Sequence, residues 1–126
     1  MAYLIDANIA IHARDGSDAV LAELAEHDGE VLLSALSLAE LQRAFTKTLA
    51  LPRYDRPGWR FCCALPFDAS AAVAYSRIIA QCGWARTRDY DRMIATHAIS
   101  SHSVLVTNNL ADFSDIPGLS MENWVV

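Results

Sequence analysis

The sequence predicts an α/β fold, a three-layer α/β/α sandwich around a mostly parallel central sheet, and three observations carry that expectation. Ala2-Tyr3-Leu4-Ile5, Val31-Leu32-Leu33 and Ser103-Val104-Leu105-Val106 are short, continuously apolar runs, the pattern of strands buried on both faces. Between them lie segments whose apolar residues recur at helical spacing. The first and last of these strands also stop abruptly at polar residues, Asp6-Ala7-Asn8 and Thr107-Asn108-Asn109. Right-handed crossovers put all strand-to-helix junctions on one edge of such a sheet. That edge is where open α/β sheets hold their ligands.

In chain order, Asp6 is either a cap for a helix starting at Ala7 or Asn8 or an acid held at the sheet edge for chemistry. A helix is expected over Ser17 to His27, with Val20, Leu21, Leu24 and Ala25 on one face, opened by Asp15-Gly16-Ser17 and ended by Asp28-Gly29. After the second strand comes a helix over Leu38 to Leu49, with Leu38, Leu41, Phe45 and Leu49 inward. Ser37-Leu38-Ala39-Glu40 fits a capping box. Residues 52–58, with two prolines and a glycine, read as a loop. Leu65-Pro66-Phe67 reads as a short strand near a sheet edge or strand end, as the proline requires. Asp68 or Ser70 caps the next helix, Ala71 to Cys82, with Ala72, Tyr75, Ile79 and Cys82 inward and Gly83 closing it. The helix over Asp89 to Ser100 is apolar around much of its circumference and should be central. Past the strand at 103–106, Leu110 to Phe113 forms a helical turn, Ile116-Pro117-Gly118 a turn, and Leu119 to Val126 a last strand with Trp124 plugging the core edge.

A chain of 126 residues suits a single domain over residues 1–126 that buries about two-thirds of its unfolded surface. Met1 leads straight into the first strand and no apolar run nears the roughly 18 residues of a membrane span, so a soluble, cytoplasmic protein is expected. Cys62, Cys63 and Cys82 are odd in number and form no CxxC pair, which argues for core filling rather than disulfides or zinc. The net charge is −5, with one lysine, Lys47, and nine arginines, including Arg53, Arg56 and Arg60 in one segment and Arg86, Arg88 and Arg92 in another. That balance argues against a plain nucleic-acid-binding module, which would need a basic surplus. It permits a phosphate substrate if carboxylates gather to hold divalent cations, which invert the local field.

Asp6, Glu40, Asp91 and the segment Asn109 to Asp112 all fall at strand-to-helix junctions. Such groups repel one another unless cations lie between them. Mg²⁺ or Mn²⁺ suits an oxygen-only set and can activate water for attack on a phosphodiester, so metal-dependent nucleic-acid hydrolysis is the chemistry expected. Asp89 and Asp91 could instead be placed for the positive end of their helix. His12, His27, His97 and His102 lack HExxH or CxxC company and read as surface or helix histidines. Neither a GxSxG elbow, a Walker loop nor a GxGxxG is present.

Together these residues resemble the PIN-domain ribonucleases, and among them the VapC-type toxins of bacterial toxin-antitoxin pairs. The likeness runs from Tyr3-Leu4-Ile5-Asp6-Ala7-Asn8 through Leu38-Ala39-Glu40-Leu41 and Leu65-Pro66-Phe67-Asp68. It is most specific in Asp91-Arg92-Met93-Ile94-Ala95, Leu105-Val106-Thr107-Asn108-Asn109, Asp112-Phe113, Ile116-Pro117-Gly118-Leu119 and Glu122-Asn123-Trp124. The resemblance implies that Asp6 and Asp91 hold Mg²⁺ or Mn²⁺, that Glu40 completes the metal shell or orients the attacking water, and that Asn8 and Thr107 support the water and substrate network. Asn109 stands where many relatives carry an aspartate, and Asp112 is placed to compensate. Asp89 is second to Asp91, since only Asp91 is followed by x-x-Ile-Ala. The resemblance also implies an endoribonuclease toxin that forms a homodimer and is inhibited by a small cognate antitoxin. The alternatives are an inactive PIN-like binding module and an aspartate-based phosphotransfer domain, which would want a lysine beside the phosphoryl group.

Overall fold

Strand β1 (Ala2–Ile5) lies in the middle of a five-stranded sheet of order β3-β2-β1-β4-β5, in a computed structural model that describes residues 1–46 and 64–125. The expectations placed on Lys47, Leu49, the 52–58 loop, Arg60, Cys62 and Cys63 lie outside the described residues, as does the inward placement of Phe45. Strands β2 (Val31–Ser34) and β4 (Ser103–Val106) flank β1, and the two-residue strands β3 (Ala64–Leu65) and β5 (Met121–Glu122) form the edges. Every pairing is parallel. Ile5 is level with Leu33 and Val106, so Asp6, Ser34 and Thr107 emerge together at one edge of the sheet.

Alternation along the strands divides the core between the two faces of the sheet. Ile5, Leu33 and Val106 join Ile9, Ala10, Val20, Leu24, Leu41 and Trp124 on one face, under helices α1 (Ala7–Arg14), α2 (Asp18–Glu26) and α3 (Ala35–Thr46). Leu4 and Leu105 join Ile78, Ile94, Ala95, Ala98, Phe113 and Ile116 on the other, under α4 (Ala69–Cys82) and α5 (Asp89–Ser100). This is the three-layer arrangement the sequence predicts. Among the described residues, no helix is long and apolar enough to cross a membrane.

Four details correct the sequence reading. The segment after Asp6 is a full helix, α1, burying Ala7, Ile9, Ala10 and Ala13. Helix α3 starts at Ala35 rather than Leu38, because the Ser34 hydroxyl accepts the Leu36 N–H at 3.1 Å directly after the strand. Ser37 is therefore inside the helix, the capping box with Glu40 does not form, and the Glu40 carboxylate is released from that role. Helix α4, capped by Asp68 accepting the Ala71 N–H at 3.0 Å, buries Ala71 and Ile78 and leaves Ala72 exposed. The sequence carries isoleucine at both 78 and 79, so periodicity could not choose between faces one residue apart. The last strand is far shorter than residues 119–126; Trp124 is buried just beyond its end.

Candidate active site

The edge where the parallel strands end is built from five separate pieces of chain. Asp6 follows β1 and caps α1, one carboxylate oxygen accepting the Ile9 N–H at 2.9 Å. Thr107 follows β4 on the neighbouring strand, fully buried, and its side chain hydrogen-bonds Asp6. The Thr107 oxygen also accepts the Asn109 N–H at 3.1 Å, so its own proton is free for the carboxylate. Glu40 comes from the second turn of α3 and Asp91 from the first turn of α5. Asp112 comes from the helical turn Leu110–Phe113. Asp6, Asn8, Glu40, Tyr90, Asp91, Asn109 and Asp112 line one small cavity of about 80 Å³.

The fold thus brings together all the acids and amides singled out above, with Thr107 behind them. Asp89 turns elsewhere: its carboxylate accepts a hydrogen bond from the Tyr75 hydroxyl on α4. Burial pushes the Asp6 carboxyl above the ordinary carboxylate range, and the Glu40 charge adds to this against the opposing bonds from Thr107 and Ile9. Burial likewise raises Asp91, with Asp112, Asp6 and Glu40 adding repulsion and Arg88 only partly offsetting it. Among the described residues, no lysine or arginine lines the cavity.

The donor set decides which ion fits. Among the described residues, the cavity offers carboxylate and amide oxygens with no thiol or imidazole, the preference of hard cations such as Mg²⁺ or Mn²⁺. Among the described residues, the one trio whose donor atoms all lie within 4.8 Å of one another is Glu23, Glu26 and His27 on the exposed side of α2, outside this cavity.

Three residues had no signal in the sequence. Tyr90 lines the cavity, its phenol raised by burial and acted on by the side chains of Ser37 and Glu40. Ser37, one turn before Glu40, is fully buried with its hydroxyl oxygen completing no hydrogen bond. His97 is no surface histidine: it is 2% exposed, its Nδ1 is 2.7 Å from the Ser34 hydroxyl, and its ring lies against Phe67. Burial holds its pKa below the usual histidine value. Ser37 and His97 gain their surroundings from distant parts of the chain.

A sequence profile of the PIN domain matches residues 3–119. Ribonuclease VapC2 of Rickettsia felis is 31% identical over 98% of this chain and 98% of that protein. The tRNA(fMet)-specific endonuclease VapC of Salmonella typhimurium is 37% identical over 73% of this chain and 74% of its own length. Among solved structures, VapBC2 from Rickettsia felis bound to a DNA fragment from its promoter superposes with a TM-score of 0.76 at 27% identity, covering 98% of this chain and 99% of that one. DNA-bound VapBC from Salmonella typhimurium superposes with a TM-score of 0.77 at 23% identity over 98% of both chains, a likeness of fold.

Proposed function

The chain belongs to the PIN-domain family, and on that premise we propose that it is an RNA-cleaving hydrolase, the toxin of a toxin-antitoxin pair, working with Mg²⁺ or Mn²⁺. One observation carries the reading: carboxylates from four separate elements, Asp6, Glu40, Asp91 and Asp112, line a single cavity with no lysine or arginine among its described lining residues. Asp6, Asp91 and Glu40 would hold the ion, which supplies an acidified water and charge neutralisation at the phosphodiester. Thr107 fixes the Asp6 carboxylate and the α1 cap sets its direction, so Asp6 presents its remaining lone pairs in one orientation. Glu40, free of any cap role, would complete the metal shell or orient the attacking water. Asn8 and Asn109 offer amides to position that water or a phosphate oxygen, and Asp112 completes the acidic rim. An aspartyl-phosphate route would want a lysine beside the phosphoryl group; no lysine is among the described residues that line the cavity, and Lys47 lies outside the described residues.

The partners that follow are an RNA substrate and a small cognate antitoxin, with a homodimer as the working assembly. The test is sequencing of RNA ends after induced expression of the wild type, Asp6→Asn and Asp91→Asn. New ends at a defined junction and growth arrest are expected with the wild type alone, while circular dichroism shows all three folded. Either variant cutting at the wild-type rate would overturn the site assignment.

A further inference from the structure

Tyr90 forms a wall shared by two cavities of opposite character. On one side is the acidic cavity; on the other is a groove of about 580 Å³ lined by Leu36, Ala39, Glu40, Arg43 and Tyr90. Glu40 and Tyr90 border both. Tyr90 is 39% exposed, so part of its surface faces solvent. Among the described residues, the rest of the groove is Leu36 and Ala39 with Arg43. Its volume is within the roughly 300–1,000 Å³ of small-molecule sites.

An aromatic ring, an apolar floor and a guanidinium, directly beside a site suited to a phosphodiester, match one chemistry. Single-stranded RNA is recognised by splaying out a base, stacking it on an aromatic side chain and neutralising the adjoining phosphate. A base seated in this groove would lie beside a phosphate at the acidic cavity, because Glu40 and Tyr90 border both. We propose that the groove takes the unpaired nucleobase next to the scissile phosphate, with Tyr90 as its stacking face and Arg43 beside the backbone, making Tyr90 a specificity-determining residue. This rests on the nuclease reading above.

The experiment maps RNA ends from total cellular RNA treated with purified protein and Mn²⁺, comparing wild type, Tyr90→Phe, Tyr90→Leu, Ala39→Trp and Asp91→Asn. The wild type is expected to show a nucleotide preference at one position flanking the cut. Tyr90→Leu flattens that preference and slows cutting at the preferred junction roughly 5- to 150-fold, the range for loss of one stacked base. Tyr90→Phe keeps the preference even if its rate falls, since the ring remains. Ala39→Trp, on an exposed position of α3, fills the groove with Tyr90 intact and gives the same flattening, so the test survives if Tyr90→Leu does not fold. Unchanged preference at every flanking position in both Tyr90→Leu and Ala39→Trp overturns the inference. So does a Tyr90→Leu that cuts normally but no longer binds a cognate antitoxin, which would give the groove to a protein segment. If the wild type produces no ends beyond those of Asp91→Asn, the nuclease reading itself fails, an outcome distinct from loss of preference.

Discussion

Replacing Ser34 by alanine should cost far more than the loss of one small surface hydroxyl would. Ser34 is fully buried at the end of β2; its hydroxyl accepts the Leu36 N–H at 3.1 Å and lies 2.7 Å from His97 Nδ1. Losing a helix-start acceptor typically costs about 1 kcal/mol. Leaving the buried His97 nitrogen unpaired costs a further 1–3 kcal/mol or so. The sum is about 2–4 kcal/mol. For 126 residues an unfolding entropy of about 2.1 cal/mol/K per residue converts each kcal/mol into about 4 °C, so Tm should fall by roughly 8–16 °C. The assay is thermal unfolding followed by circular dichroism, run as a double-mutant cycle with His97→Leu. Ser34 ties α5, which carries Asp91, to the root of α3, which carries Glu40, so Mn²⁺ binding should weaken in parallel. A Tm drop below about 3 °C, or strictly additive Ser34 and His97 effects, would refute the reasoning.

Asn109→Asp should bind Mn²⁺ on the order of ten-fold tighter in a calorimetric titration, because a carboxylate replaces an amide on the rim; unchanged affinity would mean that Asn109 does not face the ion. Acidification should release Mn²⁺ earlier than ordinary aspartates would allow, with proton uptake detectable in buffers of different ionisation enthalpy, because Asp6 and Asp91 titrate above the usual carboxylate range. The metal-free protein carries opposing pH terms. The raised acids contribute stability that is present below their unfolded pKa and lost as pH rises through their folded values. The depressed His97 contributes stability present above its unfolded value and lost as pH falls below it. His97→Leu should therefore flatten the decline of Tm below pH of about 6.5, measured without metal.

The strands and α5 were legible because their signals are local: continuous apolar runs bounded by polar stops, and a helix apolar on most sides. The gathering of Asp6, Glu40 and Asp112 was legible for a topological reason, since they follow parallel strands whose right-handed crossovers leave those junctions at one edge. Asp91, expected at such a junction, instead follows α4 rather than a strand and reaches the cavity from the first turn of α5. What escaped was decided between distant residues. Ser34 and Ser37 both offer a helix start, and the choice falls to Ser34, whose hydroxyl lies beside His97, 63 positions further on. The burial of His97 and the orientation of α4 follow from the same kind of long-range contact, which no local spacing encodes.

Asp6 shows why cap and catalytic group were never true alternatives. A carboxylate has about four lone-pair positions, and the Ile9 amide takes one on a single oxygen. A helix N-terminus should draw the Asp6 pKa down. Yet it lies above the ordinary value, because burial and the Glu40 charge outweigh the cap and the Thr107 bond. The cap thus supplies direction while the surroundings leave the charge uncompensated, a combination with a purpose only if a cation completes it. The same logic reconciles an overall charge of −5 with a polyanionic substrate. Under the proposed function the cavity repels phosphate while bare and attracts it once a dication lies among the acids, so affinity for RNA at the cut site is set by the metal rather than by a basic surface.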